Sequence, residues 1–298
     1  MKANNLSVSI PNRGCTKDCP YCVSKMTGYM TANVNLFMRN LDKAKHLAEM
    51  SQVSSVSITG KGEPLLNFKM VREVVKVFVD FPVELQTGGL ELADNTSLVD
   101  LLAIDGVDIF ALSFDKWTDF EDMKYVIERI NHMDRTVRVT MNVSDMLPPI
   151  NEAGFTDYID MCIKHYVDQF SFRRLSIPER PERIAYLADF IEGKTNIRGK
   201  AVGWIQKHAP YIGEHRCNVL YDDLIEQFDK IQYNTYKYGL IRNLNYGAKL
   251  YDVNGVSFTY FDYCIQDYSN NSEDIRSLIY QEDGHMYTTW NSLASRIF

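Results

Sequence analysis

The chain has 298 residues, of which 45% are hydrophobic and 24% charged, and its net charge is −7 at pH 7. This composition excludes a disordered chain and gives enough length for one large α/β unit with an appendage. The acidic balance disfavours non-specific binding to nucleic acid, whose affinity comes mostly from phosphate neutralisation.

No apolar run reaches the roughly 18 residues of a membrane helix, and no signal-peptide pattern opens the sequence. The expected compartment is therefore the cytoplasm, with no membrane partner. Six cysteines in that setting point to metal chemistry rather than a disulfide framework.

Residues 6–11 open with the alternation Leu-Ser-Val-Ser-Ile, a strand pattern, and lead directly into a cysteine-bearing loop. Residues 33–50 place Leu36, Phe37, Leu41, Ala44, Leu47 and Ala48 near helical spacing. A second strand at 54–59 ends in Gly60-Lys61-Gly62-Glu63-Pro64, and a helix follows at 68–78. A third strand, 83–87, is closed by Gly88-Gly89, and the helix at 95–104 stops near Asp105-Gly106. Strands at 108–115, 136–144 and 169–177 alternate with helices at 120–130, 155–166 and 180–192.

Six alternations of strand and helix imply a parallel sheet with right-handed crossovers. The expected fold is α/β, a partial (β/α)6 TIM-like barrel over residues 1–195, with its chemistry at the C-terminal ends of the strands. After Gly193 the pattern changes. A helix at 222–236 and hairpins marked by Asn254-Gly255 and Asp283-Gly284 make 196–298 a C-terminal α+β extension that closes the barrel and controls substrate access.

The loop after the first strand carries Cys15, Cys19 and Cys22 at C-x₃-C-x₂-C spacing. Three thiolates this close converge on one centre only if the loop curls, which Gly14 and Pro20 favour. A structural zinc site usually takes four protein ligands, and a cubic iron–sulfur cluster commonly takes four thiolates. Three local cysteines with no nearby fourth suggest a cluster with one iron left open to a small molecule; a zinc loop is the bland alternative.

This spacing, with Tyr21 just before the last cysteine, resembles the signature of radical S-adenosylmethionine (SAM) enzymes. The resemblance implies a [4Fe–4S] cluster held by Cys15, Cys19 and Cys22, whose open iron chelates SAM. It further implies one-electron cleavage of SAM to a 5′-deoxyadenosyl radical, which takes hydrogen from a substrate. An electron donor such as a flavodoxin or ferredoxin is then required.

Gly60, Gly62 and Glu63 resemble the family's Gly-Gly-Glu-Pro motif, in a form split by Lys61, and would meet the SAM amino group. Thr87 and Ser113 end strands where the family has SAM contacts. Asn142, and Arg173 or its neighbour Arg174, point to the same rim; an Arg there could pair with the SAM carboxylate in bidentate fashion. Adjacent strand residues face opposite ways, so only one of the two arginines looks inward.

Cys162 reads as a buried apolar residue, and Cys217 and Cys264 lack the clustering of an auxiliary cluster. Residues 279–287 resemble the hairpin of the family's auxiliary-cluster domain without its cysteine. A small-molecule or peptide substrate follows from that likeness. A first strand beginning at Leu6 leaves no room for an N-terminal leader-binding domain, an expectation against peptide maturation. RNA or nucleotide modification, and a non-catalytic iron–sulfur protein, are the other readings.

Overall fold

In β1 (Ala3–Ser9), Leu6 and Val8 point to one face and Ser7 and Ser9 to the other. The same division runs through β2 (Ser55–Thr59), β3 (Val83–Thr87), β4 (Ile109–Phe114), β5 (Thr136–Val143) and β6 (Gln169–Arg174). Residues 2–11, 13–17, 19, 22, 31–144, 146–175, 214–231, 238–244, 249–261, 275–290 and 293–298 are described by the computed structural model.

Between these strands lie α1 (Val34–Met50), α2 (Phe68–Val77), α3 (Leu90–Asp94), α4 (Ser97–Asp105), α5 (Asp119–Asp122), α6 (Lys124–His132) and α7 (Phe155–Lys164). The single helix expected at 120–130 is two pieces that meet at Met123, and α3 is an unforeseen short helix after Gly88-Gly89. The expected helix at 180–192 falls outside the described residues.

The C-terminal third contributes α8 (Glu214–Ile231), β7 (Tyr238–Asn243), β8 (Lys249–Val253), β9 (Val256–Phe261), β10 (Ile275–Tyr280) and β11 (Met286–Tyr287). Among the described residues, eleven strands form one sheet in the order β11-β10-β1-β2-β3-β4-β5-β6-β9-β8-β7. Every pair from β10 across to β9 is parallel. The outer strands β11, β8 and β7 join antiparallel, and the β10–β11 and β8–β9 pairs are the two expected hairpins.

The sheet is therefore open, as a partial barrel is, but its parallel run exceeds the six expected strands. Among the described residues, the C-terminal strands lengthen the sheet at both edges. A strand pairs wherever it finds a free ladder of N–H and C=O groups, and β1 and β6 offered one each.

One face of the sheet is apolar and carries the core. Val137, Val139, Met141, Phe170, Phe172 and Phe258 are buried there with Phe155 and Tyr158 of α7 and with Tyr221, Leu224 and Phe228 of α8. Phe228 lies 5.0 Å from Phe155 and 4.9 Å from Phe258, ring to ring. Burying one such ring contributes about 1.5–3 kcal/mol. In α1, Phe37, Leu41, Ala44 and Ala48 form the buried stripe, and the Tyr280 hydroxyl of β10 donates to the Phe37 carbonyl at 2.6 Å.

The opposite face is polar. Register aligns Ser7 with Ser57 and Glu84, Arg138 with Gln169, Thr140 with Ser171 and Thr259, and Asn142 with Arg173. Near the strand starts, Arg138 bridges Glu84 and Gln169, while Ser57 and Gln86 also donate to Glu84. This network floors the lumen and leaves the C-terminal ends of the strands as its mouth.

Candidate functional site

The cysteine loop crosses the mouth and is tied to three strand ends in succession. The Gly14 carbonyl accepts from the backbone N–H of Glu63, just past β2, at 2.9 Å. The Thr16 hydroxyl donates to Glu91 in α3, just past β3, at 3.1 Å. The Lys17 ammonium donates to the Ser113 carbonyl at 2.8 Å and to Asp115 at 3.2 Å, at the end of β4. Gly14 sits at φ +105°, where a side chain would be strained, and the Cys22 N–H closes a turn on the Cys19 carbonyl at 3.3 Å.

Cys15 is exposed, while Cys19 and Cys22 are half-buried. Burial first, and Asp115 next, push the Cys19 thiol up to about 12. Among the described residues no three His, Cys, Asp or Glu side chains converge closely enough to hold a single metal ion. A four-iron cluster spreads its thiolates over separate irons, so the donor set and the curled loop fit that group better than one tetrahedral zinc. Tyr21 lies outside the described residues.

Glu63 is buried at the junction of the cysteine loop, β2 and β3. Its carboxylate accepts from the Leu65 N–H at 3.0 Å, the Thr87 hydroxyl at 2.7 Å and the Gly88 N–H at 2.8 Å. Burial raises its pKa, and these three donors partly offset the rise. Thr87 is committed within the protein: its hydroxyl donates to Glu63 and accepts from the Gly89 N–H.

Gly60 and Gly62 form the turn before Glu63, and a Cβ on Gly60 would meet the Gly62 carbonyl oxygen at 3.4 Å. Lys61 between them is lowered in pKa by burial, against the raising effect of nearby Glu282. Glu282 follows β10, and its carbonyl accepts from the Asn33 N–H that begins α1. The C-terminal hairpin thus reaches the same rim.

Asn142 donates to Asp115 at 2.9 Å, and Ser113 lies on the same polar face. The choice between the two arginines is settled by their surroundings. Arg174 pairs with Asp222 and lies over the Tyr221 ring on α8, the apolar side of the sheet. Arg173 therefore faces the lumen, in register with Asn142. Sequence reasoning missed Lys17, Glu91 and Glu282 and gave Asp115 no role. Asp115 carried a signal, an acidic residue at a strand's C-terminal end.

Of the other cysteines, Cys162 is fully buried and its thiol raised by burial alone. The side chain of Cys217 and the whole of Cys264 lie outside the described residues.

Comparison with known proteins agrees with this geometry. The GTP 3′,8-cyclase of Clostridium acetobutylicum is 22% identical over 169 residues, covering 52% of this chain and 51% of that protein. Streptococcus suis SuiB bound to its precursor peptide SuiA superposes with a TM-score of 0.55 at 16% identity, over 96% of this chain and 59% of SuiB. The SAM-bound form of SuiB gives 0.46 at 17% identity, over 70% of this chain and 46% of SuiB. The chain thus spans about half the length of the curated relative it matches. The profile of the Radical SAM superfamily matches residues 9–165, from the end of β1 through α7, more than half of the sequence. With three cysteines on a curled loop over the strand ends and Glu63 fastened beneath it, the chain belongs to the radical SAM superfamily, whose members use a [4Fe–4S] cluster and SAM.

Proposed function

We propose that this chain holds one [4Fe–4S] cluster on Cys15, Cys19 and Cys22, cleaves SAM reductively, and takes hydrogen from a hydrophilic small molecule or peptide. The observation that carries the reading is the fastening of the cysteine loop, through Gly14, Thr16 and Lys17, to the ends of β2, β3 and β4. When bound, the cluster and SAM supply one-electron chemistry that ends in a 5′-deoxyadenosyl radical.

The chain's own residues bind and orient. Glu63, locked by Leu65, Thr87 and Gly88, offers its carboxylate to the SAM ammonium. Gly60 and Gly62 let the backbone come close. Ser113 and Asn142 line the rim. Among the described residues no hydrogen bond or ion pair engages the Arg173 guanidinium, which leaves it for the SAM carboxylate. Residues 1–195 carry the cofactor site, and 196–298 complete the sheet edges and shape substrate access. A small electron-transfer protein of the flavodoxin or ferredoxin kind would reduce the cluster.

The polar face of the sheet supports a hydrophilic substrate, since Ser7, Ser9, Ser57, Thr140, Ser171 and Thr259 give the lumen a hydroxyl lining. One relative is named for a nucleotide reaction and one fold neighbour holds a precursor peptide; both ligands are rich in hydrogen-bonding groups. The test is anaerobic reduction of reconstituted protein with SAM, followed by chromatography for 5′-deoxyadenosine. No product above that of the cysteine-free variant would defeat the reading.

A further inference from the structure

The Asp115 carboxylate occupies a position between the cysteine loop and the strand ends that SAM binding does not account for. Its Oδ2 lies 3.2 Å from the Lys17 ammonium and 3.8 Å from the Cys19 sulfur. Its Oδ1 accepts from Asn142 at 2.9 Å, so the carboxylate cannot swing away freely. Its backbone N–H donates to Asp119 at 2.7 Å, which fixes the start of the loop after β4. Lys17 is held from its other side by the Ser113 carbonyl at 2.8 Å. A Cβ on Gly88 would lie 3.0 Å from Lys17 Cε, so a glycine there keeps the path of the lysine stem clear.

Both charged side chains are largely sheltered, at 19% exposure for Lys17 and 10% for Asp115. Shelter weakens solvent screening, so the charges act strongly on a neighbouring centre. Lys17 lies in the chain between Cys15 and Cys19, and Asp115 touches the Cys19 sulfur. Each reaches the centre the thiolates would hold, with opposite sign.

We infer that Lys17 and Asp115 are an opposed pair of positioning residues that sets the reduction potential of the cluster on this loop. The inference rests on the cluster reading above and extends it. Adding an electron makes the cluster more negative. A carboxylate beside a cluster thiolate opposes that gain and lowers the potential, while an ammonium favours it and raises the potential. Fastened to each other, the two nearly cancel, and either one alone would not.

The experiment is a redox titration of the reconstituted full chain without SAM, followed by electron paramagnetic resonance, with iron content measured in parallel. Asp115→Asn, which keeps shape and hydrogen bonding, is expected to raise the midpoint potential. Lys17→Met is expected to lower it, and Lys17→Arg to leave it near wild type. The double variant Lys17→Met/Asp115→Asn should fall between the two single ones. Single variants with full iron that shift in the same direction, or do not shift, overturn the inference. If Asp115→Asn fails to hold the cluster, Lys17→Met against Lys17→Arg decides the matter alone. Loss of the cluster from Lys17→Arg as well would make the pair a simple strut and overturn its electrostatic role. A wild-type chain that takes up no iron overturns the cluster reading and this inference with it, whereas an intact cluster with an unmoved potential overturns the pair alone.

Discussion

The Glu63 amide donates to the Gly14 carbonyl at 2.9 Å, joining the cysteine loop to the glycine-rich turn by backbone alone. Because the bond uses no side-chain atom, substituting Glu63 leaves the loop's fastening in place. Cofactor binding and cluster assembly can therefore be separated by mutation.

Glu63→Ala is expected to keep the iron and lose affinity for SAM. A charge-assisted hydrogen bond contributes about 1.5–3 kcal/mol, so the SAM dissociation constant should rise by roughly tenfold or more. Equilibrium binding on cluster-loaded protein measures this. An unchanged dissociation constant would leave Glu63 as a fastening between β2 and β3 and nothing else.

The same carboxylate carries a pH signature. Burial holds the folded pKa of Glu63 above the ordinary 4.5. Below that ordinary value the group is protonated in both states and has no effect. As pH rises, the unfolded chain releases its proton first, so the SAM-free protein loses stability from about pH 4.5 up to the raised folded value, and no more beyond it. Glu63→Ala should lack this loss. The difference in Tm between wild type and variant should move in favour of the variant across that window; a flat difference would show that the folded protein ionises Glu63 without penalty.

The cysteines divide by position. Changing Cys15, Cys19 or Cys22 to Ala should abolish an iron content of about four per chain. Cys162→Ala should keep it, because that thiol is buried on the helix side of the sheet. Cys217→Ala and Cys264→Ala should keep it too. An iron content of about eight that halves on changing Cys264 would reveal a second cluster.

The β10–β11 hairpin should be a condition of folding. Gly284 turns at φ +80°, and a Cβ there would lie 2.6 Å from the Phe37 nitrogen in α1. Gly284→Ala therefore costs at least the roughly 1–2 kcal/mol of a left-handed residue together with a backbone clash. Tyr280→Phe removes only the bond to the Phe37 carbonyl, about 1 kcal/mol. A chain ending before β10 exposes the edge of β1 and should be recovered unfolded or aggregated. A soluble, cooperatively melting truncation would show the C-terminal third to be a separable appendage. Chemical denaturation ranks the three.

The βα alternation was legible because Leu6, Val8, Val137 and Val139 repeat at two and Phe37, Leu41, Ala44 and Ala48 at helical spacing. The hairpins were legible because Asn254-Gly255 and Asp283-Gly284 are local turn chemistry. The place of β10 was not, because no nearby residue records that Ile275–Tyr280 will lie beside Ala3–Ser9. Strand partners distant in sequence are chosen by free ladder edges, not by local pattern. In the site, spacing and resemblance found Cys15, Cys19, Cys22 and Glu63. They did not find Lys17 or its meeting with Asp115, since a lysine and an aspartate far apart in sequence carry no mark of meeting. The Arg173–Arg174 ambiguity needed Asp222, which lies on a helix the strand could not foresee.

The two faces of the sheet differ in how easily their side chains give up a hydrogen atom. Phenol O–H and thiol S–H bonds are weaker than the O–H of serine or threonine. On the described parallel strands, Tyr260 and Tyr280 point to the helix side, as does Met141, and Cys162, Tyr158 and Tyr221 lie in the layer beneath. Ser7, Ser9, Thr140, Ser171 and Thr259 look the other way. The alternation that builds the core therefore also sorts side chains by susceptibility to oxidation. Among the described residues of the parallel strands and the helices packed on them, the phenols of Tyr260, Tyr280, Tyr158 and Tyr221 and the thiol of Cys162 therefore lie behind the sheet, away from the hydroxyl-lined face.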